Sequence, residues 1–481
     1  MALLVKSPTM LAVSVALAFA GLAACAGGDG AARRSAPAEG GPDGGTIEAG
    51  TPPGNPPAHV VNPYAGATFA FDPAWAASVR ATAATTSDAT LAAQMNALAE
   101  TSTGVWLDAI ARIAPTDGTM GLAAHLGAAL SQQTTGMPVV LTLVLYDLPG
   151  RDCAGLASDG ELPATADGLS RYEHAFVDPI AAILASPQYA AVRVAAILEP
   201  DSLPNVVTNQ DVPACATASP LYEQGIAYAL DALHPIANVS TFLDVGHSGW
   251  LGWPRNSGPA AQELAKVAQS TAAGLASVDG FVTNTSNYMP LKEPFMTATQ
   301  AVGGQPVDSA TFYDENPEID EADYAAAMYG ALTSVGFPTT IGMLVDTSRD
   351  GWGGAARPTG PGTSTDVNAF VSATKVDRRA SRGLWCNVAG AGLGERPAAS
   401  PPGYPDAHLD AFVWVKGPGS SDGTSADIPN DEGKKPDPTC DPSYVSPDGV
   451  PSGALSGAPL AGQWFSAAFL QLVQNADPPL P

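Results

Sequence analysis

The chain has 481 residues, with 47 acidic against 21 basic side chains and a formal net charge of -26. No basic run occurs, which excludes the electrostatic footprint of a nucleic-acid binder, and a neutral polar polymer suits this surface better than a polyanion does. The six histidines lie far apart in sequence, with no pair at ligand spacing and no Cys–His cluster, so neither a metal nor a cofactor is expected.

In chain order, Lys6 is the only charge before a short apolar, alanine-rich run from Met10 to Leu22. The run is too short to span a bilayer and has the flanks of a signal-peptide h-region. It ends in Leu22-Ala23-Ala24-Cys25, a lipobox whose small residues suit the signal peptidase and whose thiol receives lipid. Residues 1–25 therefore read as a lipoprotein signal peptide, leaving an exported protein whose membrane contact is the acyl chain on Cys25. An ordinary signal peptide with a chance cysteine is the alternative. Residues 26–58, rich in Gly, Pro, Ala and Glu, cannot bury enough surface to fold and read as a tether. Residues 59–481 carry neither a second linker nor an internal repeat and form one large domain, expected to act as a monomer.

Removing Cys25 leaves Cys153, Cys215, Cys386 and Cys440, an even number that reads as disulfides in an exported protein. Three pairings are open. The sequential one, Cys153 with Cys215 and Cys386 with Cys440, is preferred, and each bond would contribute about 4 kcal/mol by loop closure.

Short β-branched apolar runs recur at Val139–Tyr146, Val192–Leu198, Val239–Leu243, Gly280–Thr283, Thr339–Val345 and Ala411–Val415. Alanine-rich helical stretches lie between them, near Gly168–Ala185, Leu221–Leu233, Pro259–Gly274, Glu321–Val335 and Asp366–Thr374. Near-continuous apolar strands alternating with helices indicate an α/β fold with a parallel sheet, and this many units favour a closed (β/α) barrel over an open sheet. Each strand is followed by polar residues: Asp147 and Asp152, Glu199 and Asp201, Asp244 and His247, Asn284 and Asn287, Asp346 and Arg349, Lys416 and Asp422. In a parallel barrel those ends open on one face, where catalytic groups gather.

Two stretches are specific. One is Tyr146-Asp147-Leu148-Pro149-Gly150-Arg151-Asp152-Cys153, running on to Ser158 and Gly160; the other is Ile197-Leu198-Glu199-Pro200-Asp201-Ser202-Leu203. Together they resemble the signature segments of glycoside hydrolase family 6, inverting cellobiohydrolases and endoglucanases. The run Leu243–Pro254 resembles the family's aromatic binding segment, and Thr283-Asn284, Asn287-Tyr288, Asp346–Arg349, Trp385-Cys386-Asn387 and Trp414-Val415-Lys416 also match. The resemblance covers about Asn62 to Pro479. It implies a distorted parallel (β/α) barrel that hydrolyses β-1,4-glucosidic bonds in cellulose, without a cofactor.

Glycoside cleavage needs an acid to protonate the leaving oxygen and support for an oxocarbenium-like transition state. Asp201 follows a buried run, where a carboxyl can keep its proton, and a second carboxylate such as Asp152 raises its pKa further. The resemblance likewise implies Asp201 as proton donor, Asp152 as its supporting carboxylate and Asp422 as candidate base. It also leaves open a route in which the attacking water loses its proton through Ser158 and Asp152, and it places Tyr146 in the catalytic segment. Flat apolar faces bind pyranose rings and polar groups bind hydroxyls. Trp250, Trp253 and Trp385 are the candidate platforms, and His247, Asn287, Lys416 and Ser420 occupy the candidate hydrogen-bonding positions.

Three positions depart from the family pattern. Ser420 stands where the family carries a sugar-binding glutamate, Ala70 where an aromatic platform is expected, and Asp72 where asparagine is expected. The long segments Gly351–Asp366 and Gly417–Tyr444, with Asn430-Asp431-Glu432-Gly433, resemble the bacterial exo-acting branch and imply a roofed cleft releasing cellobiose. An endo-acting glucanase is the alternative. A lipid-anchored glucan-binding protein without turnover is a further alternative from another class, resting on Ser420 and Ala70. Gly419-Ser420-Ser421-Asp422-Gly423 also fits a nucleophile elbow, but Gly423–Pro438 is too rich in turn formers for the helix that elbow needs.

Overall fold

A computed structural model describes residues 59–481. The expectations for the signal peptide, Cys25 and the tether fall outside the described residues. Among those residues, no helix is long and apolar enough to cross a membrane.

The described residues form eleven strands: β1 Thr68–Phe69, β2 Val105–Leu107, β3 Val139–Leu145, β4 Val192–Leu198, β5 Val239–Asp244, β6 Gly280–Thr283, β7 Ala301–Val302, β8 Gln305–Pro306, β9 Gly342–Asp346, β10 Ala398–Ala399 and β11 Leu409–Val413. Strands β7 and β8 form a separate small hairpin. The main sheet runs β1-β3-β4-β5-β6-β9-β11-β10, with β2 also on β3. All its pairings are parallel except that of β10 with β11. All six predicted strands are present, with ends shifted by up to three residues. The very short β1, β2 and β10 were not legible, because two or three residues carry no period.

Strand alternation sorts the side chains into two cores. Val140, Val144, Ile197, Phe242, Val282, Leu344 and Val413 fill the inside of the curled sheet. Leu141, Leu143, Leu145, Val194 and Leu243 face outward and pack with helical residues such as Tyr172, Ile226 and Leu264. Burial on both faces explains why these strands read as unbroken apolar runs. The barrel is incompletely closed. No ladder joins β2 to β11 among the described residues; instead Gly104 N–H donates to the Trp414 carbonyl (2.8 Å). A Cβ at Gly104 would sit 2.3 Å from the Val415 carbonyl oxygen, so only glycine lets the two edges meet.

Helices cover the outside. The predicted stretch at Leu221 begins earlier, at Pro213, and runs through Pro220 to Leu233. Its first turn carries Cys215, which is joined to Cys153; Cys386 is joined to Cys440. The first of these bonds holds the loop after β3, and the second holds the long segment after β11.

Candidate active site

Left-handed backbone recurs in the segments after β3, β4 and β6: Asp152 (φ 54°), Glu199 (φ 50°), Asp201 (φ 68°) and Asn284 (φ 63°). Each such residue costs on the order of 1 kcal/mol, and Asp and Asn tolerate the conformation better than most. The bends break the strands abruptly at the barrel mouth. After β4 the chain turns at Asp201 directly into the helix Ser202–Thr208.

The polar residues at the strand ends divide into two sets. Glu199, Asp346 and Asp147 are buried scaffolding. Glu199 accepts hydrogen bonds from Asp147 N and Leu148 N at 3.1–3.2 Å. Asp346 accepts from Ser286 N, Ser348 N and Lys416 N, tying three loops together. Burial pushes Asp147 up to about 9, so it is held neutral beside Arg151.

The second set, Asp201, Asp152 and Asp244, clusters near Tyr146, which lines a cavity. Burial, reinforced by the nearby carboxylates of Asp244 and Asp152, raises the Asp201 carboxyl well above the usual range, while Lys416 opposes this. Burial pushes Asp152 up to about 7 against the Ser158 N–H, which donates to Asp152 Oδ2 at 3.1 Å. Asp244, which burial lifts to about 6, accepts from Asp201 N (3.1 Å) and Gly246 N (3.0 Å). Tyr146 stacks edge-on against Trp106 at 5.5 Å, with the Arg151 guanidinium 4.7 Å from its ring centre.

Asp422 is different. It is 3% exposed and bonded by Arg349 Nη1 (2.8 Å), Lys416 Nζ (2.5 Å), Tyr288 OH (2.7 Å) and Asn387 N (2.7 Å). Burial alone would raise its pKa, but the two cations and the hydrogen bonds pull it down to about 2. It is a fixed anion with its lone pairs engaged.

A cavity of about 410 Å³ is lined by Tyr146, Ser158, Lys416 and Ser420, and by the indoles Trp75, Trp106 and Trp464. Sequence reasoning passed over Trp106. Its strand is only three residues long, and the Val105-Trp106-Leu107 run was its one signal. Trp250 and Trp253 are partly exposed, held by Nε1 bonds to Thr208 Oγ1 (2.8 Å) and the Asp314 carbonyl (2.7 Å). Trp385 is partly exposed beside the Cys386–Cys440 bridge. His247 lies 6.0 Å from Trp250, and burial together with Arg379 and Arg382 drives its pKa well down, so its ring is neutral. Asn287 Oδ1 accepts from Tyr288 N and Arg379 Nη1.

The departures also find places. Ala70 is fully buried in the core, so it offers no platform. Asp72 caps the helix Pro73–Thr85 and lies 3.4 Å from His125 Nδ1 at one end of the cavity. Ser420 lines the cavity and pairs with Trp464 in an isolated antiparallel bridge. In the cavity lining, Lys434 Nζ bonds Asp108 (3.1 Å), Glu432 and the Ala461 carbonyl (2.9 Å), and Arg112 bonds Glu432 (2.7 Å).

Comparison with known proteins agrees with this architecture. Residues 64–476 match the model of glycosyl hydrolases family 6. Over 427 residues the chain is 54% identical to Exoglucanase A of Cellulomonas fimi, covering 88% of this chain but only 49% of that protein, so it spans about half of that relative's length. It is 36% identical to a probable 1,4-beta-D-glucan cellobiohydrolase C of Aspergillus fumigatus, covering 87% of this chain and 78% of the relative. Among solved structures, the catalytic domain of Cellulomonas fimi Cel6B superposes with a TM-score of 0.86 at 54% identity, over 88% of this chain and 97% of that one. The CcCel6A catalytic domain complexed with p-nitrophenyl beta-D-cellotrioside superposes with a TM-score of 0.69 at 33% identity, over 87% and 99%. With a curled parallel sheet, carboxylates at its mouth and a family match across the described domain, the chain belongs to glycosyl hydrolase family 6.

Proposed function

We propose that the chain hydrolyses β-1,4-glucosidic bonds in cellulose-type chains with inversion, releasing cellobiose from chain ends. The observation that carries this reading is the Asp201 carboxyl, buried and raised by the neighbouring Asp244 and Asp152 carboxylates, beside Tyr146 of an aromatic-lined cavity. A carboxyl held protonated at neutral pH is what protonation of a glycosidic oxygen requires.

In this mechanism Asp201 is the acid and Asp422 is an electrostatic stabiliser. Asp422 was the candidate base, but a carboxylate near pKa 2 with four donors on it accepts a proton poorly. The alternative path suits the site better: the attacking water passes its proton by way of Ser158 to Asp152, poised at about 7. Trp106, Trp250, Trp253 and Trp385 stack on the sugar rings, with His247, Asn287 and Lys416 at the hydroxyls.

Exo action is favoured over endo action by the Lys434–Asp108 and Glu432–Arg112 contacts, which tie the segment after β11 to residues of the cavity wall. The names of the relatives, Exoglucanase A and 1,4-beta-D-glucan cellobiohydrolase C, agree with this reading. For localisation the reading is export with a lipid on Cys25; labelled palmitate absent from wild-type protein made in a lipoprotein-processing bacterium would refute it.

Cellohexaose and the Asp201→Ala variant test the activity. Wild-type release of α-configured cellobiose, lost by about 10²–10⁴-fold in the variant, is expected. Binding of cellohexaose without hydrolysis by the wild type would make the chain a glucan-binding protein instead.

A further inference from the structure

The catalytic carboxyls sit at the C-terminal ends of the strands. At the other end of the barrel, three metal-ligating side chains from distant parts of the sequence converge. His59 is the first described residue, His234 follows the helix Pro213–Leu233, and Asp279 immediately precedes β6. One ring nitrogen from each histidine and a carboxylate oxygen all lie within 4.8 Å of one another.

The surrounding hydrogen bonds orient these groups as ligands. His59 Nε2 lies 2.8 Å from the His234 carbonyl oxygen, and its Nδ1 faces Asp279 Oδ1 and Oδ2 at 2.9 and 2.8 Å. His59 thus has one ring nitrogen on a backbone carbonyl and the other on the Asp279 carboxylate; with an ion on Nδ1, the Nε2 bond to the carbonyl would remain as the outer-shell bond that orients a metal-binding histidine. Asp279 Oδ2 is itself fixed by Thr241 N (2.8 Å) and Thr241 Oγ1 (3.2 Å). His234 Nδ1 is buried and has no hydrogen-bond partner. Its ring centre is 4.6 Å from that of His59. An unpaired buried nitrogen is costly unless something fills its lone pair or takes its proton.

We propose that His59, His234 and Asp279 bind one divalent transition-metal ion of the zinc class at the base of the barrel. Two imidazoles and one carboxylate match the ligand preferences of zinc, with water completing the shell. On binding, the proton between His59 Nδ1 and Asp279 leaves to solvent, and the ion bonds both atoms and a His234 nitrogen. Ligand atoms around tetrahedral zinc stand about 3.3 Å apart, so the His59–Asp279 pair opens slightly and the His234 ring moves in. The ion would fasten the chain at His59 to the starts of β5 and β6. Because it binds only the folded chain, it raises stability without touching the cleft.

The test is calorimetric titration of the chelator-treated full chain with ZnCl2, alongside His234→Ala and Asp279→Asn. One equivalent bound by the wild type, with affinity falling more than about tenfold in each variant and cellohexaose turnover unchanged in His234→Ala, is expected. If His234→Ala fails to fold by circular dichroism, His234→Gln keeps the ring volume closer and serves instead. No zinc bound by the wild type, or binding undiminished in both folded variants, overturns the proposal and leaves the trio as an ion-paired clasp.

Discussion

The backbone N–H of Asp201 donates to Asp244 Oδ2 at 3.1 Å, so the residue with the raised carboxyl is held in its left-handed turn by the carboxylate that helps raise it. One group thus supplies both position and electrostatics, and the two contributions can be separated. Asparagine at 244 keeps an acceptor for the Asp201 N–H but removes the charge. Asp244→Asn should therefore lower the Asp201 pKa and move the alkaline limb of the kcat/KM profile to lower pH. An unmoved alkaline limb would show that Asp244 is only a backbone anchor.

Asp422→Asn should be structurally severe. It leaves Arg349 and Lys416 facing a neutral amide, and removing one partner of a buried ion pair costs about 3–5 kcal/mol. The pH dependence follows from the sign of the shift. Because the folded pKa is lowered to about 2, the wild-type contribution is complete above the unfolded value, near 4, and fades as pH falls toward 2. Chemical denaturation at pH 7 and pH 3 should give wild type and variant converging stabilities at the lower pH.

The contacts of Glu432 and Lys434 should govern the mode of attack. Each of Glu432→Gln and Lys434→Ala removes ion pairs that link the segment after β11 to Asp108 and Arg112. The expected change is a larger viscosity drop of carboxymethylcellulose per reducing end formed, with cellohexaose turnover retained. An unchanged ratio would mean that the segment is held by other contacts, among them Cys386–Cys440.

Trp106 lines the cavity with its Nε1 fixed to the Val415 carbonyl at 2.8 Å. Trp106→Ala should raise KM for cellohexaose about tenfold, corresponding to about 1.4 kcal/mol of lost stacking. If kcat falls instead and KM holds, the indole serves the transition state or supports Tyr146, against which it packs.

The sequence by itself determined the barrel strands, because residues buried on both faces must be apolar throughout, and it placed Asp201 and Asp152 in the segments that follow two of them. The Cys153–Cys215 and Cys386–Cys440 pairs were one of three open choices there, and only the folded chain brings their sulfurs together. Tertiary structure also decided the surroundings of each polar residue. Glu199 and Asp147 look as catalytic in sequence as Asp201 does, yet they are sealed into backbone hydrogen bonds and burial. Nothing in the sequence shows that Arg349, 73 positions away in the chain, is placed against Asp422. His59 and Asp279 lie 220 positions apart, so no local ligand spacing marks them in the sequence. Strand identity follows from burial, which leaves a mark in each residue's own chemistry. Charge state depends on which distant groups stand within a few ångströms, and that information exists only once the chain has folded.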